Sequence, residues 1–166
     1  MKPSSKDGCS TPVKKELPLS QLIDLAGTCI GKSDWLTIDQ ARINQFATAT
    51  NDQQWIHVDP ARAEKGPYSG PIAHGLLTLS MIPYFSSQVS YAPAGTLMVV
   101  NYGFNRVRMI SPVPVGASIR DVMVLQCVEA RRQDQVLTTT RHTIEIQGAD
   151  KPACVADLLA LHVTGP

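Results

Sequence analysis

The sequence has no close pair of cysteines. Cys9, Cys29, Cys127 and Cys154 are far apart, with no C-x-x-C among them, which argues against a zinc knuckle or a thioredoxin-like motif and for four ordinary reduced thiols. It also lacks any run near the roughly 18 apolar residues that a membrane span takes. Residues 1–16 carry charges of both signs and no apolar core of a secretory leader, so the expected location is the cytoplasm, with no membrane partner. Net charge is almost missing as well. Fifteen Lys and Arg against fourteen Asp and Glu give +1, so no global field draws the protein to nucleic acid or anionic lipid. What is present suits one ordinary domain: 166 residues, 43% hydrophobic and 17% charged, enough to bury a core without disulfides or a metal and too apolar for general disorder.

Residues 1–18, rich in Lys, Ser and Pro, read as a flexible N-terminal extension, and 19–166 as a single domain. Apolar residues at Leu19, Leu22, Ile23 and Ala26 predict a short amphipathic helix with Ser20 as its cap and Gly27 as its stop. Thr37-Ile38-Asp39-Gln40 has the form of a capping box, predicting a second helix that lies on the body through Ile43, Phe46, Ala47 and Thr50 and ends near Asn51. Asp59-Pro60 marks the start of a third, closed by Gly66-Pro67, with a tight non-helical loop, 52–58, before it. Gly75 to Gln88 is apolar nearly all round, the mark of a buried helix, and Pro83 must kink it or end its first half.

The last third is rich in Val, Ile and Thr. Strands are expected near 96–104, 118–130, 135–147 and 153–163, with turns at 112–116, 131–134 and 148–152. In the third of these, Val136, Thr138, Thr140, His142, Ile144 and Ile146 share one face and Arg141, Glu145 and Gln147 the other, as in a sheet with one wet side. The last is apolar on both faces and is expected to be central or at an interface. Long antiparallel strands and one apolar helix point to an α+β fold in which the sheet wraps around that helix.

Reactive side chains are densest in Asn51-Asp52-Gln53-Gln54-Trp55-Ile56-His57-Val58-Asp59 and in Ile72-Ala73-His74-Gly75. Asp52 and His57 are close enough in the chain to converge on one small ligand, and such a pair can hold and polarise a water. Gly75 opens the apolar helix, where unpaired N–H groups suit a carbonyl oxygen that gains negative charge and the missing side chain allows close approach.

The run from Phe46 to Leu77, FATATNDQQWIHVDPARAEKGPYSGPIAHGLL, resembles the hydratase signature of the MaoC-like dehydratases, the (R)-specific enoyl-CoA hydratases of the hot-dog fold. Order and spacing both match: an acid and a histidine five residues apart, then D-P, then I-A-H-G before an apolar helix. Asn101 to Val115 resembles the strand and turn that follow in that family, and the resemblance covers roughly residues 20–163. It implies Asp52 and His57 as the catalytic pair, the Gly75 N–H as oxyanion donor, hydration of a trans-2-enoyl thioester to the (3R)-hydroxyacyl product, and a homodimer. It implies no metal or redox cofactor, coenzyme A being part of the substrate. Asn51, Gln54 and Trp55 depart from the family's commoner wording and look like the nodulation-protein-N-like branch.

Other readings stand beside these. Asp52 can simply end a helix, and Asp59 is fully explained as a cap, so His57, Asp59 and His74 are not expected to hold a metal. His74 either caps the apolar helix or shapes the oxyanion loop. Gln54 and Trp55 are candidates for substrate contact, Trp55 and Tyr68 equally for packing. Arg106 and Arg108 share a strand face and either meet the phosphates of coenzyme A or are solvated charges. His142 is expected in a sheet face, and His162 has no identifiable partner. The competing functions are an acyl-CoA thioesterase and a non-catalytic acyl-thioester binding protein of the same fold. The carrier is either coenzyme A or an acyl carrier protein.

Overall fold

The computed structural model describes residues 15–89 and 91–165. In chain order the elements are β1 (Lys15–Leu17), α1 (Leu19–Asp24), β2 (Cys29–Lys32), β3 (Leu36–Thr37), α2 (Gln40–Thr50), α3 (Trp55–Val58), α4 (Pro60–Ala63), α5 (Gly75–Ser80), α6 (Ile82–Val89), β4 (Tyr91–Pro93), β5 (Thr96–Met109), β6 (Ser118–Arg132), β7 (Gln135–Ile146) and β8 (Cys154–Thr164). An antiparallel sheet runs β2-β6-β7-β8-β5, with β3 also on β6, while β1 and β4 pair in parallel apart from it. The fold is α+β, as expected.

One face of the sheet packs on α5 and α6. Leu77, Met81, Ile82, Phe85 and Val89 are buried against Ile119, Met123, Ile144, Cys154, Ala156 and Leu158. The alternation in β7 holds from His142 onward, with His142, Ile144 and Ile146 buried; before it Val136, Leu137 and Thr138 are buried in a row and Thr140 is half-buried. On the other face Arg141 makes two bonds to Asp157 of β8, at 2.8 and 3.1 Å, and Arg120 of β6 meets Glu145 at 2.7 Å. β8 lies between β7 and β5, where neighbours on both sides account for its apolar character. This is the central place expected of it; β5 is one edge of the sheet among the described residues, longer than expected and exposed over most of its length, Leu97 being 74% and Tyr102 63% accessible.

Several expectations are corrected. Most of the expected extension lies outside the described residues, but Lys15–Leu17 form β1, with Ala94 N–H donating to Leu17 O at 2.8 Å. Pro18, not Ser20, precedes α1, and no side chain caps it. The capping box does not form: Ile38 N–H bonds Ala117 O and Gly116 N–H bonds Ile38 O, so the chain is held extended past Thr37. The cap is Asp39, whose Oδ1 accepts from Arg42 N–H at 2.8 Å. Residues 55–58 of the expected loop coil into α3. The apolar helix is two helices separated at Met81, just before Pro83, and Leu76, Pro83 and Tyr84 are exposed on it, so it is buried on one side only. Cys29 is disulfide-bonded rather than reduced. Cys127 and Cys154 are free, the latter pushed up to about 11 by burial and by Asp121.

Candidate active site

α2 ends at Asn51, which takes a left-handed conformation, φ 58°, and turns the chain so that Asp52 follows on the outside. Gln54 stays extended as the residue before α3, and His57 sits in that single turn, 6% accessible. α4 follows at once, its cap formed by Asp59 Oδ1 accepting from Arg62 N–H at 3.0 Å, as the D-P pair predicts. The chain then returns along 71–74, where backbone bonds clamp it on both sides. Ile72 N–H donates to Ile56 O at 3.1 Å, Ala73 N–H to Val113 O at 2.8 Å, and Val115 N–H to Pro71 O at 2.9 Å.

That clamp puts the Ile72 carbonyl 2.7 Å from His57 Nδ1. A carbonyl only accepts, so Nδ1 carries the proton and Nε2 keeps the lone pair. Burial holds the His57 pKa below its ordinary value, with a smaller push the same way from His74; the Ile72 bond and Asp52 act in the opposite sense. The ring is therefore a neutral base. Its position is further secured by Gln40, whose Nε2 donates to the His57 carbonyl at 2.7 Å.

His74 stacks on His57, with ring centres 3.8 Å apart and planes 25° from parallel, and Phe46 covers it at 5.1 Å. Its Nε2–H donates to the Asp52 carbonyl at 3.0 Å and stands 4.0 Å from the Asp52 carboxylate. It is thus not a side-chain cap of α5 but the tie that holds Asp52 over the site. One polar side-chain atom from each of Asp52, His57 and His74 fits within a 4.8 Å cluster, so the pair read from sequence does converge. Asp59, occupied at α4, is not in this group. Directly after His74, α5 opens at Gly75, and its first N–H groups have no carbonyl one turn back to accept them. A Cβ on Gly75 would stand 3.2 Å from Met109 Cγ and 3.3 Å from its Sδ, so the missing side chain makes room for β5.

Other candidates lie elsewhere. The Trp55 ring packs under Arg62, 4.5 Å away, and against Gly66, a packing role. Gln54 is exposed at the start of α3. Arg106 and Arg108 flank Val107, which packs on the core, and so point to the opposite face, where they share an open cleft with Arg141, Val155 and Asp157. Sequence reasoning missed the Ile72 carbonyl, Gln40 and Met109. The first two act through contacts 15 and 17 residues away that no local pattern encodes.

Residues 24–147 match the model of the MaoC-like domain family. The chain is 44% identical over 145 residues to the 3-hydroxyacyl-thioester dehydratase Z of Mycobacterium tuberculosis, covering 87% of this chain and 95% of that one. It is 42% identical over 152 residues to nodulation protein N of Rhizobium meliloti, covering 91% and 94%. Among solved structures it is similar to the unliganded R-hydratase PhaJ1 of Pseudomonas aeruginosa, TM-score 0.68 at 20% identity, over 90% of this chain and 88% of that one. Among the described residues no helix is long and apolar enough to cross a membrane. With its sheet packed on the broken helix that starts at Gly75, and with this match over most of its length, the chain belongs to the MaoC-like dehydratase family of hot-dog proteins.

Proposed function

We propose that the protein is an (R)-specific enoyl-thioester hydratase, equally a 3-hydroxyacyl-thioester dehydratase in the reverse sense. The observation that carries this reading is the 2.7 Å bond from His57 Nδ1–H to Ile72 O, which leaves Nε2 with its lone pair in a ring that shares a 4.8 Å cluster with the Asp52 carboxylate. In hydration, His57 Nε2 takes a proton from a water held between it and Asp52 as the water oxygen adds to C3 of the trans-2-enoyl thioester. The C2=C3 electrons move towards the thioester carbonyl, whose oxygen the Gly75 N–H stabilises. The proton passes from the imidazolium through the Asp52 carboxyl to C2, which restores both groups. Water attack on the C3 face that yields the R configuration, with the proton delivered to C2 from the same side, gives the (3R)-hydroxyacyl product.

The reaction as written draws on no metal or redox cofactor, and coenzyme A or an acyl carrier enters with the substrate. Arg106 and Arg108 take no part in it. A homodimer is proposed as well, supported by the long unpaired edge of β5, which bears Leu97, Met98, Val99, Val100 and Tyr102 exposed. Loss of the conjugated thioester absorbance of trans-2-enoyl-CoA, with product chirality read on the same samples, tests the function. Formation of (3R)-hydroxyacyl-CoA, with most of the rate lost in folded Asp52→Asn and His57→Ala variants, is expected. Free coenzyme A release instead would mark a thioesterase, and binding without turnover would leave a thioester-binding protein.

A further inference from the structure

The outer face of the sheet, turned away from α5 and α6, carries an open cleft of about 430 Å³ lined by Arg106, Arg108, Arg141, Val155 and Asp157. Three strands build it. Arg141 of β7 and Asp157 of β8 are direct cross-strand partners, as are Arg108 of β5 and Val155 of β8. Arg106 joins them through a bulge. Phe104 pairs with Leu158 and Val107 with Ala156, so two residues of β5, Asn105 and Arg106, stand against the single Asp157. Partners across a ladder share a face, and Leu158 and Ala156 are both in the core. Regular alternation from Phe104 would therefore point Arg106 inward, and the extra residue turns it outward beside Asp157.

The charges in this cleft do not balance. Three guanidinium groups face one carboxylate. Arg141 takes both oxygens of that carboxylate, at 2.8 and 3.1 Å, and Asp157 is only 8% accessible. The Arg141 bond is the main reason the Asp157 pKa lies below its ordinary value, and Arg106 adds to the effect by its charge. Among the described residues the Arg106 side chain has no hydrogen bond or ion pair, and that of Arg108 only bends back to the Val107 carbonyl at 2.9 Å. Both are exposed. Like charges gathered on one sheet face repel, and no acid in the cleft is left to answer these two.

Two unanswered positive charges suit a dianion. A phosphomonoester carries close to two negative charges near neutral pH and three acceptor oxygens, enough to receive the forks of Arg106 and Arg108 together. The cleft volume lies in the range of small-molecule sites, more than a phosphate group alone fills, and Val155 offers an apolar floor for the body that bears it. We infer that this cleft binds the phosphomonoester group of a small molecule, on the side of the sheet away from α5 and the site at its start. Such a group comes either from a free phosphorylated molecule or from the 3′-phosphate of coenzyme A.

Adenosine 3′-phosphate, which presents this group on a nucleoside, is titrated calorimetrically into the full chain, with adenosine as the uncharged reference. Adenosine 3′-phosphate is expected to bind and adenosine not to. Arg106→Gln and Arg108→Gln should each weaken binding about tenfold, the loss of one charge-assisted contact. Arg131→Gln, at an arginine that pairs with Glu129 outside the cleft, should leave it unchanged. Circular dichroism melts check that the variants are folded. Coenzyme A titrated into protein saturated with adenosine 3′-phosphate then separates the sources, and either result upholds the site: weakened coenzyme A binding marks its own nucleotide as the occupant, unchanged binding a separate phosphorylated molecule. No binding of adenosine 3′-phosphate, equal binding of adenosine, or binding that survives unchanged in the folded Arg106→Gln/Arg108→Gln double variant overturns the assignment.

Discussion

Replacing His57 by asparagine separates two things the imidazole does at once. The ring donates from Nδ1 to the buried Ile72 carbonyl and leaves Nε2 with its lone pair, the imidazole sharing a cluster with Asp52. An asparagine amide nitrogen reaches close to where Nδ1 stands, so His57→Asn keeps a donor for Ile72 and deletes the base. His57→Ala deletes both. Alanine leaves a buried carbonyl unpaired, which costs about 1–3 kcal/mol. In a chain of this size each kcal/mol shifts the melting temperature by about 2–4 °C, so His57→Ala should melt roughly 2–12 °C below His57→Asn. Loss of a general base costs about 10²–10⁴ in rate, and both variants should lose that much. Thermal melts and enoyl-CoA turnover on the same preparations make the comparison. A His57→Asn enzyme within tenfold of the wild type would refute the base assignment. Equal melting of the two variants would refute the structural share given to the Ile72 bond.

Further outcomes follow from single contacts. A Cβ on Gly31 would lie 1.8 Å from Val89 Cγ1, so Gly31→Ala should destabilise by about 1–3 kcal/mol in denaturant titration, and Val89→Ala in the same chain should recover part of the loss. Asp39→Ala removes the α2 cap and should cost about 1 kcal/mol, with some loss of rate as well, because α2 carries the Gln40 that holds His57. Burial lowers the His57 pKa from 6.5, so the acid limb of kcat/KM should fall below pH 6.5, and a limb above that value would count against His57 as the base. The hydrogen bond from Arg141 holds Asp157 below the ordinary 3.8, giving stability that is present above that pH and lost as pH falls through the folded value; acid titration of Arg141→Gln should show a weaker dependence below about pH 4.

Where local chemistry decides the structure, the sequence was readable. Asp59-Pro60 is a cap because proline at the first helical position needs no donor, and Asn51 ends α2 because it tolerates a left-handed conformation. The alternation of β7 exposed its wet face. Errors arose where distant strands intervene. Thr37 has the chemistry of a cap, but Ala117 and Gly116, some 80 residues on, bond the backbone of Ile38 just past β3 and pass the role to Asp39. Arg106 and Arg108 do share a face, yet which face it is depends on Val107 packing into the core. The apolar character of β8 on both faces did tell its central place, but nothing local told that β5 is an edge. For the candidate site, the convergence of Asp52 and His57 was legible from spacing, whereas Ile72 acts through a carbonyl that every residue has.

That last point bears on how the site is held. Asp52 and His57 belong to a four-residue helix and its lead-in, too short to be stable alone. Their geometry is set by the strap 71–74, which gives Ile72 O to His57 and carries His74, whose Nε2 holds Asp52 by its backbone. The strap itself is anchored on the turn before β6, through Ala73 N–H on Val113 O and Val115 N–H on Pro71 O, with Val113 buried in the core. The same strap ends at Gly75, where α5 begins. The proposed acid, base and oxyanion donor are therefore referred to one short segment, and that segment to the sheet. A shift of the 112–116 turn would displace all three together rather than separate them, and Gln54, one of the departures from the family's commoner wording, takes part through its backbone alone, its carbonyl accepting the His57 N–H at 2.9 Å.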